Sequence, residues 1–419
     1  MSKSIRWAVV GLGGYAGSMA DQLLEFVGKG AEIANGAVFV AACDPQLSQG
    51  EKANHLRSVG VKVVEQFDEI LAMPDVDAVW LPLPIQLHRP FTEKALKAGK
   101  AVLCEKPAAG SIQDVNAMIR ARDAAKLPVA IGFQDIYDSA IQEAKRRILA
   151  GEIGEIVSAS VMACWPRSQM YYDRSVWAGR IGVDGIWVLD SPANNALAHP
   201  INVALFMMGG SEAAWGQPIA VAAELYRANK IENYDTCSIR ATVGREGSTT
   251  GVPLLVLMTH ACRQTIHPVI EIVGTRGSVH VPLFDNITIQ HSDSPDASPL
   301  TIRRSKIVRI DMLHHLGKFF AGEKTNIVIP TIETARPHSL MVNGASAACA
   351  VRDIPPGFVV HEDWSENDPG RAVPGIEEAF IACAAKKQMI HESGTVAWSE
   401  PAETLSLVDF ERFDGPPVA

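Results

Sequence analysis

Three short stretches of this chain could do chemistry. In LDSPANNALAHPIN (189–202) two adjacent amides, Asn194 and Asn195, and an imidazole, His199, sit in an apolar run. Histidine is the side chain that exchanges protons near neutral pH without help. Ser191-Pro192 has the form of a helix start, a hydroxyl N-cap with proline at the first helical position. Counted from that start, Asn195 and His199 stand at i and i+4 and share one face of one helix. The same pattern also describes a capped core helix with satisfied polar groups. The second stretch is Glu105-Lys106-Pro107, whose lysine is either a charge placed for a ligand or a solvated side chain. The third is GLGGYAG (11–17), a run suited to phosphates. Gly11 permits a tight strand-to-helix turn, Gly13 lets backbone amides approach a pyrophosphate, and the small Ala16 lets helix and sheet pack closely.

The elements that position these stretches can be read from periodicity. Residues 5–10 (IRWAVV) form a β-rich run before the glycines, and Met19, Leu23, Leu24 and Val27 follow at helical spacing. A second strand over 38–43 ends at Asp44, a carboxylate placed to accept from a ribose and to repel a 2′-phosphate. Pro45 follows and no arginine stands near, which favours NAD over NADP. The connection 28–37 explains why Asp44 lies further from the glycines than usual. Strands over 77–83, 101–104 and 128–133 alternate with helices over about 90–98 and 112–126. Apolar strands separated by helices give a parallel sheet covered on both faces. Ligands of such sheets bind beyond the carboxyl ends of the strands, here just after Val10, Cys43, Leu83, Cys104 and Phe133.

The gross numbers exclude several classes. A chain of 419 residues is long for one core, so two domains are expected. A net charge of −9 with no Lys/Arg run argues against nucleic acid as a partner. No apolar run reaches the roughly 18 residues of a membrane span, and the N-terminus shows no signal-peptide pattern. Seven scattered cysteines without a CxxC pair fit reduced core thiols and a cytoplasmic location. His314, His315 and the other histidines lack metal-ligand spacing, so no metal is expected.

KAVLCEKP (100–107), preceded by GLGGYAG and by LPLPIQLH (81–88), resembles the glucose–fructose oxidoreductase / inositol dehydrogenase family, Gfo/Idh/MocA. GEIGEI (151–156) and IEIVGTRGSVHV (270–281) look like that family's second domain. The resemblance implies an α/β fold with an N-terminal Rossmann dinucleotide-binding domain (1–133). It also implies a C-terminal α/β domain (134–419) with a large open, mainly antiparallel sheet, which binds substrate and often makes dimers or tetramers. Strands near 157–164, 219–226, 236–243, 254–260 and 270–273 fit that sheet, and residues 376–413 add a helix.

By resemblance, NAD would be held by Gly11, Gly13, Gly14, Tyr15, Ala16, Asp44, Leu83, Pro84, His88, Glu105, Lys106 and Gln134. The family carries a D-x-x-x-H pair with an acid three positions on. Aligned through His199, Asn195 takes the aspartate's place and Asn202 that of the second acid; aligning Asp190 instead leaves Asn194 where the histidine belongs. The implied reaction moves hydride between nicotinamide and a secondary hydroxyl of a sugar, glycoside or cyclitol. His199 would be the general base, Lys106 would stabilise the alkoxide, and Asn195 would orient substrate or imidazole. Pro200, inside the expected helix, would kink it at His199. CWPRSQMYYDRSVWAGR (164–180) reads as a packed loop with stacked arginines or as a sugar-binding wall, with Arg167, Tyr172 and Trp177 as its contacts. Gln134-Asp135 replaces the asparagine and arginine of many relatives, which points to a different substrate preference. Two further readings are a glycoside-cleaving enzyme that oxidises its substrate transiently, and a non-catalytic NAD-binding regulator.

Overall fold

The computed structural model describes residues 4–28, 37–246, 250–363 and 368–417. The described residues gather into two units, one within 1–109, 114–139 and 305–335, the other within 110–113, 140–304 and 336–419. The expected single boundary at residue 133 is therefore replaced by several crossings of the chain. Most of the connection 28–37 invoked for the spacing to Asp44 lies outside the described residues.

The first unit holds six parallel strands: β1 (Arg6–Val10), β2 (Val38–Cys43), β3 (Lys62–Val64), β4 (Ala78–Leu81), β5 (Ala101–Cys104) and β6 (Val129–Ile131). Their order is β3-β2-β1-β4-β5-β6, so the winding reverses between β1 and β4. That reversal opens the crevice where such sheets take dinucleotides. β3 escaped the sequence reading because three residues carry too little periodicity. The helix after β4 runs Ile85–Lys97 with Pro84 as its N-cap, so Pro90 lies inside it rather than at its start. Trp7, Val9, Trp80 and Leu103 are buried in one core with Ile310, Leu313 and Leu316. Those last three belong to helix Val308–Phe320, which the sequence reading had assigned to the second domain. Ile131 N donates to Pro330 O at 2.9 Å, so the 305–335 segment also closes the β6 edge.

The second unit is built on a ten-stranded sheet. In order across it lie Leu300–Ile302, Ile287–His291, Gly277–Pro282, Ile266–Gly274, Ile156–Cys164, Val252–Thr259, Thr236–Gly244, Gln217–Arg227 and Arg352–Asp353. Thr404–Ser406 also pairs with Gln217–Arg227. Ile156–Cys164 against Val252–Thr259 and Gln217–Arg227 against Arg352–Asp353 are parallel. The other pairs are antiparallel. Helix Ile376–Lys386 sends Phe380 and Cys383 into a core with Leu255 and Leu257. All seven cysteines are buried and unbridged. Among the described residues no helix is long and apolar enough to cross a membrane.

Candidate active site

In the first unit the glycine loop joins β1 to helix Gly14–Gly28. Gly11 has φ +103°, and a Cβ there would meet Ala16 Cβ at 3.0 Å and Leu83 Cδ2 at 3.8 Å. The β1 and β4 exits are therefore in contact at the reversal of strand order. A Cβ on Gly17 would fall 2.5 Å from Leu12 O, a backbone atom that cannot swing aside. Gly17 N donates to Gly13 O at 3.2 Å, so the amides of Gly14, Tyr15 and Ala16 precede the first intrahelical donor. Donors left over at a helix start, beside a cradle that side chains would fill, fit a pyrophosphate. Asp44 fits the ribose position but is already engaged: Oδ2 accepts from Leu12 N at 2.8 Å, and Oδ1 from Gln46 N and Leu47 N at 2.9 and 2.8 Å. A carboxylate has about four acceptor positions, so one remains on Oδ2.

From Ala101 to Ile112 every residue is buried except Lys106, which is half-buried. Glu105 beneath it is 4% exposed and accepts from Trp80 Nε1 at 3.1 Å. Burial raises the Glu105 carboxyl pKa, while Lys106 and the indole donor oppose the rise. Room for this carboxyl comes from Gly132, whose Cβ would lie 2.8 Å from Glu105 Oε2. Arg309 Cζ lies 5.6 Å from the ring centroid of Tyr15, an exposed side chain at the start of the first helix. Arg309 Nε donates to Gln134 Oε1 at 2.7 Å. The fold thus brings Tyr15, Glu105 and Gln134 together around Arg309. No local motif marks Arg309, which reaches the group from 175 residues beyond Gln134.

His88 has a different place from the expected one. Its ring is 1% exposed, with Nδ1 2.8 Å from Pro107 O and Nε2 2.8 Å from Leu83 O. Burial lowers its pKa, and the two carbonyls pull the other way. A neutral imidazole has one N–H, so the ring donates to Pro107 O or to Leu83 O according to its tautomer, between the β4 exit and the Lys106 loop. His88 lies between the carbonyls of Leu83 and Pro107, and Pro84 is the N-cap of its helix.

In the second unit the 189–202 stretch folds otherwise than its spacing suggests. Ser191 is indeed an N-cap, its Oγ accepting from Asn194 N at 3.2 Å, with Pro192 at the first position. The turn it starts, Pro192–Ala196, is wide (i→i+5), with Leu197 N donating to Pro192 O at 2.8 Å. The chain breaks at Leu197, and a new helix runs Ala198–Met208. Asn195 and His199 therefore do not share a face of one helix. Pro200 lies in the first turn of the new helix, where a missing N–H costs nothing, so the expected kink is absent.

Two polar side chains nevertheless emerge together: from Val188 to Met208 only Asn195, Ala196 and His199 are not fully buried. Asn195 Nδ2 donates to Asp190 Oδ1 at 2.7 Å, and Gly179 N to Asp190 Oδ2 at 2.7 Å. The carboxylate set aside in the alignment is thus the partner of the amide that replaced it. Asn202 is 1% exposed and accepts from Trp215 Nε1 at 3.4 Å, a core contact.

The 164–180 stretch contains the stacked arginines. Arg167 Cζ lies 5.4 Å from the Trp165 ring centroid and 4.6 Å from that of Tyr171. Arg174 Cζ lies 3.7 Å from Tyr171 and 5.0 Å from Trp177. Tyr172 is buried, so of the three expected sugar contacts Arg167 and Trp177 are the more accessible. His260, missed in the sequence, has Nδ1 2.8 Å from Trp165 O. Burial, then Arg167, push its pKa down to about 3, so it is a neutral donor that anchors the start of this loop.

A doubly wound sheet with a glycine cradle, a half-buried lysine at a strand end and a second open-sheet unit define a dinucleotide-dependent oxidoreductase architecture. Two family models match: "Oxidoreductase family, NAD-binding Rossmann fold" over residues 5–133, and "GFO/IDH/MocA C-terminal domain" over 141–280. The chain belongs to the GFO/IDH/MocA oxidoreductase family, and its first unit is that family's NAD-binding Rossmann fold. It is 29% identical over 202 residues to a dTDP-3,4-didehydro-2,6-dideoxy-alpha-D-glucose 3-reductase of Streptomyces violaceoruber, covering 48% of this chain and 54% of that protein. It is 33% identical over 156 residues to the scyllo-inositol 2-dehydrogenase (NAD(+)) of Bacillus subtilis, covering 37% and 43%. The chain spans about half the length of these relatives. The WlbA dehydrogenase of Bordetella pertussis, solved with NADH and UDP-GlcNAcA, shares the fold at TM-score 0.64 and 20% identity, over 82% of this chain and 97% of that one.

Proposed function

We propose that the protein is an NAD-dependent oxidoreductase that acts on a secondary hydroxyl of a sugar, glycoside or cyclitol. The observation that carries this reading is the half-burial of Lys106, the one residue from Ala101 to Ile112 that is not fully buried, at a strand end where Trp80 holds Glu105 and His88 meets Pro107 O. A structural lysine needs no such platform. Bound NAD would supply the hydride acceptor. Gly11, Gly13 and the amides after them would hold its pyrophosphate, and Asp44 its ribose. Lys106 holds the substrate oxygen and stabilises the alkoxide as it forms. The hydroxyl proton passes to an imidazole nitrogen of His199. Asn195, pinned by Asp190, presents its amide oxygen to a substrate hydroxyl or to the imidazole. Sugar and cyclitol substrates are supported by the relatives' names, a deoxysugar reductase and an inositol dehydrogenase. The seven buried, unbridged cysteines fit a reducing, cytoplasmic location, and the open sheet offers a surface for a dimer or tetramer. The test is incubation with NAD and a panel of sugars, glycosides and inositols, following NADH absorbance and product together. NADH formation with at least one polyol is expected. Complete inertness of protein with cofactor verified as bound would overturn the reading.

A further inference from the structure

We propose that the substrate carries an anionic group, a carboxylate or a phosphoryl, and that Arg167 and Arg174 bind it. The inference rests on the reading of the second unit as the substrate side. Its starting point is a contrast among arginines. Arg147, Arg227, Arg263, Arg336 and Arg352 each hold a carboxylate within 3.0 Å. The chain has 47 Asp and Glu against 38 Lys and Arg, so carboxylate partners are plentiful. Arg57, Arg276 and Arg371 hold main-chain carbonyls instead, and among the described residues Arg167 and Arg174 also have no carboxylate partner but differ in lying each over two aromatic rings.

Ring faces fix a guanidinium without neutralising it, and stacking leaves its edge donors free for a planar anion. Arg174 spends one nitrogen on Tyr171 O. Arg167 Nε is buried and has no partner. Charge that is preorganised and uncompensated is what an anion site requires. A built space adjoins the ladder. Tyr172, Ser175, Gly179, Arg180 and Lys230 line a cavity of about 590 Å³, within the range of small-molecule sites. Among the described residues the hydroxyls of Tyr172 and Ser175 are without partners. The acids of that wall are already engaged: Asp173 accepts from Gln169, and Glu232 accepts from Ile181 N and lies 4.0 Å from Arg180. Gly179 of the same wall donates to Asp190, which holds Asn195. The arginine ladder, the cavity and the candidate catalytic turn are thus one continuous set of contacts within the second unit.

Trp165 and Trp177 sit at the two ends of the ladder and report its occupancy by fluorescence. Full-length protein is titrated with D-glucuronate, D-glucose 6-phosphate and D-glucose. Glucuronate or glucose 6-phosphate is expected to bind at least about tenfold more tightly than glucose, and the preferred one identifies the carboxylate or the phosphoryl as the source. Arg167→Met and Arg174→Met keep an apolar stem on the rings; each is expected to weaken anion binding about tenfold, more at low salt than at high. NADH binding, which reads the first unit, and thermal melting confirm that the variants are folded. Equal binding of the three sugars, binding of none, or unchanged anion affinity in both variants overturns the proposal. Anion binding together with complete inertness toward the whole panel, cofactor verified as bound, would instead sink the oxidoreductase reading and leave the anion site standing.

Discussion

The two units present their candidate chemistry by different means. The nucleotide side is written in backbone: Gly11, Gly17 and Gly132 are glycines because a Cβ would strike Ala16, Leu12 O or the Glu105 carboxyl. Such a site tolerates few spellings, so it can be recognised from spacing alone. The substrate side is written in side chains carried by a turn whose geometry is not encoded by spacing. There the i, i+4 interval between Asn195 and His199 spans a wide turn, a break at Leu197 and a fresh helix. What the two share is partial exposure in an otherwise buried stretch, although the helix that was to carry both does not exist.

Substitutions can break that comparison in order of size. Lys106→Met should lower kcat/KM by about 10²–10³-fold with NADH affinity retained, measured on whichever polyol yields NADH. A smaller loss would return Lys106 to the solvated class. Asn195→Asp should not act as a simple restoration of a family acid. It sets a second carboxylate against Asp190, where Asn195 now donates at 2.7 Å. Two carboxylates at that range raise the pKa of the pair above the unfolded value near 3.9. Stability is then intact below that value and is lost as pH rises through the raised one, by about 2 kcal/mol at pH 8. Thermal melts of wild type and variant from pH 4 to pH 8 test the sign; a pH-independent difference would count against the Asp190 contact. Gly17→Ala should cost about 1–3 kcal/mol by pressing on Leu12 O, with weaker NADH binding as its signature. Pro200→Ala should be nearly silent, within about 0.5 kcal/mol and without change in the pH profile of activity. A large effect would show that the first-turn proline sets the direction of His199 after all.

The parallel sheet, the glycine loop and the Lys106 loop were legible because strand and helix periods, and the glycines, act locally, whereas the strand order was not. Tyr15, Glu105 and Gln134 were found, but not Arg309, which joins them, since a tertiary contact from 175 residues away leaves no local trace. Asp190 was visible and set aside because an alignment asks for one histidine spacing, whereas a hydrogen bond asks only for 2.7 Å. His88 was misread because a sequence cannot say which side of a loop a ring occupies. The stacked arginines of 164–180 were anticipated as one of two readings, and their lack of carboxylate partners emerged only from the structure.

The return of residues 305–335 to the first unit has a consequence for how the protein is made. The β6 edge receives Pro330 O and the core receives Ile310, Leu313 and Leu316 only after that segment has left the ribosome. At roughly 5–20 residues per second, the glycine loop and its sheet wait on the order of ten to forty seconds for their last wall. During that interval the chain between them is being synthesised, so the cofactor fold cannot be finished before most of its companion has appeared. A fragment ending at residue 133 would keep every glycine of the cradle and still lack the helix that seals it.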